Sequence, residues 1–166
     1  MLRKGREYLR MQKKIIGFFL ILAGILLLFV QTKIAEIKDF ITWPFLGLLL
    51  SVILLFIFLI NQQAQLVLIA GISTAIFLTV WGNKYVSDWP THWGILIFMF
   101  GIAVILQFVV TKHHMTLIIG IFIMLIGAFA WPGLRDIPGL SSIAIILNTY
   151  WPALVLVLGF LFLVKK

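Results

Sequence analysis

Cysteine is missing from all 166 residues. Disulfides, thiolate nucleophiles and cysteine-based metal sites are therefore excluded. Charge is scarce as well: only 11% of residues are Asp, Glu, Lys or Arg, against 63% hydrophobic. A soluble domain is about 45–50% apolar and about 25% charged, so this chain has too little polar surface to cover a particle in water. An integral membrane protein is the class that fits. Acidic residues are the scarcest charged type, 5 against 13 basic, giving a formal net charge of +8. The basic residues gather in the opening segment, at Arg3, Lys4, Arg6, Arg10, Lys13 and Lys14. That pattern fits membrane orientation and contact with anionic lipid of the inner leaflet. Nucleic-acid binding would need a folded reader or a stacking surface, and the sequence offers neither.

What is present is a series of apolar runs. Six candidate membrane-spanning cores are Ile15–Val30, Trp43–Ile60, Leu66–Trp81, Trp93–Val110, Met115–Trp131 and Trp151–Val164. None alternates with period two, which disfavours a β-barrel. A helix satisfies its own backbone bonds in lipid. Pro44 and Pro152 stand at the start of their runs, where a missing N–H is harmless, and Pro132 stands just after the fifth as a stop. The first run follows "MLRKGREYLRMQKK", which superficially looks like a signal peptide. The run is long for one and no small-residue cleavage site follows it, so a retained helix is expected. Met11 is an alternative start.

Lys and Arg set the orientation. With the N-terminus in the cytoplasm, the inner side holds the six opening basic residues with Lys112, Lys165 and Lys166. The outer side holds Lys33, Lys38, Lys84 and Arg135. Of the acidic residues only Glu7 is inside. The expectation is an all-α integral membrane protein of six transmembrane helices, with both termini cytoplasmic. It comprises a basic cytoplasmic segment, 1–14, and a six-helix transmembrane domain, 15–166. Between spans, "QTKIAEIKDFI" places Ile34, Ile37, Phe40 and Ile41 on one face, suggesting a short interfacial helix. Ile143–Leu147 either lengthen the sixth helix or lie in the interface.

A repeat runs through the spans. Trp43, Trp93 and Trp151 each open the second run of a pair, and eight positions on stand Ser51, Gly101 and Gly159. Gly17, Gly71 and Gly120 stand near the start of each first run. This reads as three repeated helical hairpins at 15–60, 66–110 and 115–164. Tryptophan favours the headgroup level, so Trp43, Trp81, Trp89, Trp93, Trp131 and Trp151 are expected as an outer interfacial belt. Small residues let helices approach closely, so Gly17, Gly24, Ser51, Gly71, Gly101, Gly120, Gly127 and Gly159 are expected packing positions. Gly17 and Gly24, like Gly120 and Gly127, are spaced by seven, roughly one helix face.

The sequences "IIGFFLILAGILLLF" with "WPFLGLLL", and "LIIGIFIMLIGAFAW" with "YWPALVLVLGFLFLV", resemble the LiaI/LiaF-like transmembrane domain family of bacterial envelope-stress proteins. "LVLIAGISTAIFLTVWG" with "HWGILIFMFGIAVIL" is a looser copy. The resemblance extends over nearly the whole chain after residue 14. It implies a protein of the bacterial inner membrane linked to envelope stress. The expected contacts are membrane lipids and either a membrane-protein partner or further copies of the chain. LiaF-like members restrain a sensor kinase and carry a soluble C-terminal domain. Nothing after Val164 corresponds to that domain, so a LiaI-like accessory or scaffold role is the closer expectation.

Chemistry is hard to find in the runs. No Asp, Glu, Lys, Arg or His falls within the six cores, whereas proton coupling and intramembrane hydrolysis usually need such groups. Gln107 near the inner end of its run is explained by interfacial solvation or by an interhelical hydrogen bond. Ser73 and Thr74 can bond their own helix. His113 and His114 sit on an inner turn and His92 on an outer one, so they cannot share a metal. Asp88 and His92 could act as acid and base, but no nucleophile accompanies them. A nonenzymatic protein with no cofactor is expected. The alternative is a small solute transporter or channel, lined by Ser73, Thr74, Thr79 and Gln107.

Overall fold

The computed structural model describes residues 2–31, 37–87, 89–133 and 141–164, with the side chains of 2–14, 160–164 and several scattered helical positions left outside the description. Lys33, Glu36, Asp88, Arg135 and Asp136 lie outside the described residues, as do the side chains of Arg3, Lys4, Arg6, Arg10, Lys13 and Lys14. The chain divides into two units, Met1–Ile41 and Thr42–Lys166.

The first unit contains α1, Leu2–Gln31, a single helix of 30 residues. It carries the basic segment and the first apolar run without a break, since no proline interrupts either. A single turn of 3-10 helix, Ile37–Phe40, follows. The interfacial helix expected over this stretch reduces to that one turn among the described residues.

The second unit holds α2 (Trp43–Ile60), α3 (Ala64–Tyr85), α4 (Trp93–Thr111), α5 (His114–Ala130) and α6 (Ser141–Val164). Local chemistry sets most of the boundaries. Thr42 is extended and Pro44 occupies the first turn of α2, where its fixed φ suits a helix start. Asn61 closes that helix, its N–H bonding the Ile57 carbonyl at 2.9 Å. Gln62 then turns the chain with a φ of 57°. At α4 the His92 Nδ1 accepts the Gly94 N–H at 3.1 Å, satisfying one of the unpaired donors at a helix start. Lys112, at φ 55°, ends α4 in the left-handed conformation usually taken by glycine. Each link is short, so α2–α3 and α4–α5 are antiparallel pairs.

Two prolines behave differently. Pro132 lies just beyond α5, as expected. Pro152 lies inside α6, because the helix begins at Ser141 rather than near Trp151. Ile143–Leu147 therefore lengthen the sixth helix. Without an N–H, Pro152 cannot bond the carbonyl of Asn148 one turn back.

Within this unit α4 and α5 pack most intimately, α2–α3 and α3–α4 next, and α5–α6 more loosely. The buried core is mostly small or aromatic: Phe45, Val67, Ala70, Ala75, Trp81, Ala103, Ile126 and Ala130. Lipid tails are as apolar as leucine, so helices in a bilayer gain little from burying leucine and much from close approach at small residues.

The structure corrects the expected number of crossings. Among the described residues, three helices are long and apolar enough to cross a membrane, Trp43–Ile60, Ala64–Tyr85 and Trp93–Thr111, with mean hydropathies of 2.7, 1.9 and 2.5. A crossing takes about 20 helical residues for a core of about 30 Å. The described apolar part of α1, Ile15–Leu28, and helix α5, His114–Ala130, fall short of that length. The fifth ends early because Trp131 and Pro132 stop it at 17 residues. Helix α6, whose residues are only partly described, is not among the three. Six transmembrane helices in three hairpins are thus not what forms. The chain is a multi-pass α-helical membrane protein.

Candidate functional site

Among the described residues, α4 and α5 meet along a glycine seam. Gly94 and Gly101 are seven apart on α4, and Gly120 and Gly127 are seven apart on α5. The pairs run antiparallel, Gly94 beside Gly127 and Gly101 beside Gly120. A Cβ added at Gly94 would lie 2.7 Å from the Gly127 carbonyl oxygen. One at Gly101 would lie 2.5 Å from the Met124 nitrogen, and one at Gly120 3.0 Å from the Ile105 nitrogen. At Gly127 it would strike the Phe98 backbone. At Gly94, Gly101 and Gly127 the nearest neighbours are backbone atoms, so no rotamer change relieves the overlap; at Gly120 the nearest is the Ile105 side chain, at 2.7 Å. Gly94 escaped the sequence reading, although it stands seven positions before Gly101.

The other small residues divide. Gly71 faces Ala103 across α3–α4, where an added Cβ would come within 2.8 Å of the alanine methyl. Ser51 is buried in α2, and its hydroxyl donates to the Gly47 carbonyl of its own helix. Gly17, Gly24 and Gly159 have open space where a side chain would go. The structure thus brings Gly101, Gly120 and Gly127 together, pairs Gly71 with an alanine, and leaves those three outside any close contact.

All six tryptophans belong to the second unit and gather at one end of its helices, at the starts of α2 and α4, the ends of α3 and α5, the intervening loop and mid-α6. Their surroundings differ. Trp43 is 67% exposed, whereas Trp81 is 2% exposed and packs against Phe45 with ring centres 5.7 Å apart. Trp93 meets Trp151 edge-on at 5.4 Å. The Trp89 ring lies on Gly82, and its Nε1 is buried without a hydrogen-bond partner. Trp131 covers Gly133. Lys84 holds its Nζ 5.3 Å from the centre of the Tyr85 ring. Trp43 and Trp93 are the tryptophans most open to a headgroup layer, while Trp81 holds the bundle end together.

A polar contact not foreseen from the sequence closes α5. Asn148 of α6 donates its side-chain amide to the carbonyls of Phe129 at 3.0 Å and Ala130 at 3.2 Å. Helix ends leave carbonyls without partners, and here a neighbouring helix supplies the donor.

Two of the residues that would line a solute path bond to their own helix, and Thr79 also lies 3.9 Å from the Met99 sulfur of α4. Thr74 donates to the Ala70 carbonyl and Thr79 to the Ala75 carbonyl, each at 2.8 Å. Gln107 is half-buried near the end of α4. His113 and His114 are exposed. No group of three His, Cys, Asp or Glu that could hold a metal occurs among the described residues. Comparison with protein-family models, curated proteins and solved structures found no match.

Proposed function

We propose that this chain is a nonenzymatic accessory or scaffold component of a bacterial cell-envelope stress response, working in the inner membrane through helix–helix contacts. The observation that carries the reading is the α4–α5 glycine seam. Backbone-to-backbone packing makes a stiff pair, on which α3 and α6 are held in turn. Such a frame can present apolar helix faces to another membrane protein without chemistry of its own. Exposed leucines on α2, Leu46 and Leu50, and Leu156 on α6 offer such faces. The resemblance of the apolar motifs to LiaI/LiaF-like sequences supplies the envelope-stress context. The basic segment with Arg3, Lys4, Arg6, Arg10, Lys13 and Lys14 supports a cytoplasmic N-terminus in contact with anionic lipid.

The test is in-cell photocrosslinking from Thr91, an exposed position in the tryptophan-end loop, followed by purification in mild detergent and mass spectrometry. Recovery of one sensor kinase, transporter subunit or wall-synthesis enzyme supports the accessory role and names the pathway. Recovery of self-crosslinks and lipid alone removes it, and solute-flux measurement in proteoliposomes then tests the transporter alternative.

A further inference from the structure

A cavity of about 160 Å³ opens between α2, α3 and α4. Its floor and one wall are two helix faces of identical spacing, Gly71, Thr74, Ala75 and Leu78 on α3, and Met99, Ile102, Ala103 and Leu106 on α4. Leu55 of α2 forms the opposite wall. The floor is low because Gly71, Ala75 and Ala103 carry almost no side chain. Ile102 at the rim is 40% exposed, so the cavity is a groove open to the side.

Three observations determine what can fill it. The first is depth. Thr74 and Ala75 are the two middle residues of α3, and Ile102 is the middle residue of α4. These helices, with α2, are the ones long and apolar enough to cross a membrane, so the groove lies at the level of the hydrocarbon centre. The second is polarity. The one hydroxyl in the lining, on Thr74, already donates to the Ala70 carbonyl. A buried water needs two to four polar partners, and apolar cavities of about 150 Å³ stay dry and take up hydrocarbon-sized guests. Water, ions and polar solutes are therefore poor occupants. The third is shape. The lining extends over two turns of each helix, about 10 Å at 1.5 Å per residue, which suits a narrow chain lying along the helices rather than a bulky ring system.

We infer that this groove is a binding site for one acyl chain of a bilayer lipid, held along α3 at mid-membrane. The site wedges between α2 and α4 and completes their packing on α3. It depends only on membrane insertion of α2–α4 and stands apart from any role in envelope stress.

The probe is phosphatidylcholine bearing a diazirine at mid-chain, reconstituted with the full chain in nanodiscs, with labelled residues mapped by mass spectrometry. Labelling several-fold heavier at Leu78, Met99 and Ile102 than at exposed Leu46, Leu50 and Leu156 is expected. It should fall to the background level in Thr74→Phe, which fills the groove, and rise in Leu55→Ala, which widens it. If Thr74→Phe fails to give a monodisperse protein, the Leu55→Ala result decides alone. Equal labelling of all exposed apolar positions overturns the site in favour of ordinary boundary lipid. Efficient disulfide dimers of Ile102→Cys, clean because the chain has no native cysteine, overturn it in favour of a second copy.

Discussion

Replacing Gly101 by alanine separates a packing glycine from a merely frequent one. The new methyl would stand 2.5 Å from the Met124 nitrogen and 2.7 Å from its Cα. Carbon atoms attract best at about 3.5–4.0 Å, so α4 and α5 must part by about 1 Å at that crossing. Overpacking of this kind costs about 1–3 kcal/mol. Alanine returns up to about 1 kcal/mol through its better helix propensity. With the full propensity gain subtracted, the net loss is up to about 2 kcal/mol, a factor of up to about 30 in the ratio of folded to unfolded protein. Gly159→Ala is the control, because nothing lies within 4 Å of its added Cβ and only the propensity gain remains. Reversible unfolding in mixed micelles, followed by the intrinsic tryptophans, reads both. Gly94→Ala and Gly127→Ala should behave like Gly101→Ala. Equal shifts for Gly101→Ala and Gly159→Ala would refute the seam as a source of stability.

Other perturbations test single contacts. Asn148→Ala should cost about 1–2 kcal/mol by leaving the end of α5 without its donor. Asn148→Asp should cost more, because a carboxylate would face the Phe129 and Ala130 carbonyls; hydrogen exchange after Ala130 reads the loosening. His92→Ala should lose about 1 kcal/mol of capping while His92→Ser retains most of it, measured by the same unfolding assay. Trp89→Phe keeps a ring on Gly82 and removes a buried donor without a partner, so stability should stay level or rise by about 1–3 kcal/mol. A double-mutant cycle on Trp93 and Trp151 should return a coupling of about 0.5–1.5 kcal/mol, and a coupling of zero would show that the edge-on contact contributes nothing.

Much of the architecture was written in local signals. The helical class follows from unbroken apolar runs in lipid. The starts of α2 and α4 follow from Trp43 with Pro44 and from Trp93, and the turns near 61–65 and 111–114 from their polar residues. Three things were not legible. Helix α6 begins ten residues before Trp151, because a proline inside a helix and one at its start look alike in sequence. The number of crossings was overcounted against the three helices that are long and apolar enough among the described residues. Helix α5 stops at 17 residues although its run reads like the others. The glycines show the third limit. Gly17 with Gly24 and Gly120 with Gly127 share the same spacing, yet the first pair faces open space and the second faces backbone. Periodicity identifies a face. It says nothing of what that face meets, and it does not reveal a donor such as Asn148 whose acceptors lie eighteen and nineteen residues away.

The second unit is held together in two different ways, and the difference explains where its groove lies. Helices α4 and α5 meet along a seam, with glycine contacts at two levels one heptad apart. Helices α2 and α3 are joined by the short turn at 61–63 and fastened by aromatic contacts at the opposite, tryptophan end. Phe77 lies on Gly47 there, Trp43 meets Phe77 at 6.4 Å, and Phe45 meets Trp81. At mid-length Gly71 lets α3 settle against Ala103 of α4, and α2 reaches the same level with Leu55. Aromatic contacts at one end fix the separation of α2 from α3 without closing it further down, while the small residues keep the floor low. A gap at mid-membrane follows from holding one pair at its two ends and the other along its length. Closing the second seam should then close the gap. Leu55→Phe is expected to fill the wall side, raise thermal stability in detergent and abolish acyl-chain labelling at Met99. Higher stability with undiminished labelling would show that the gap and the packing of α2 on α3 are unconnected.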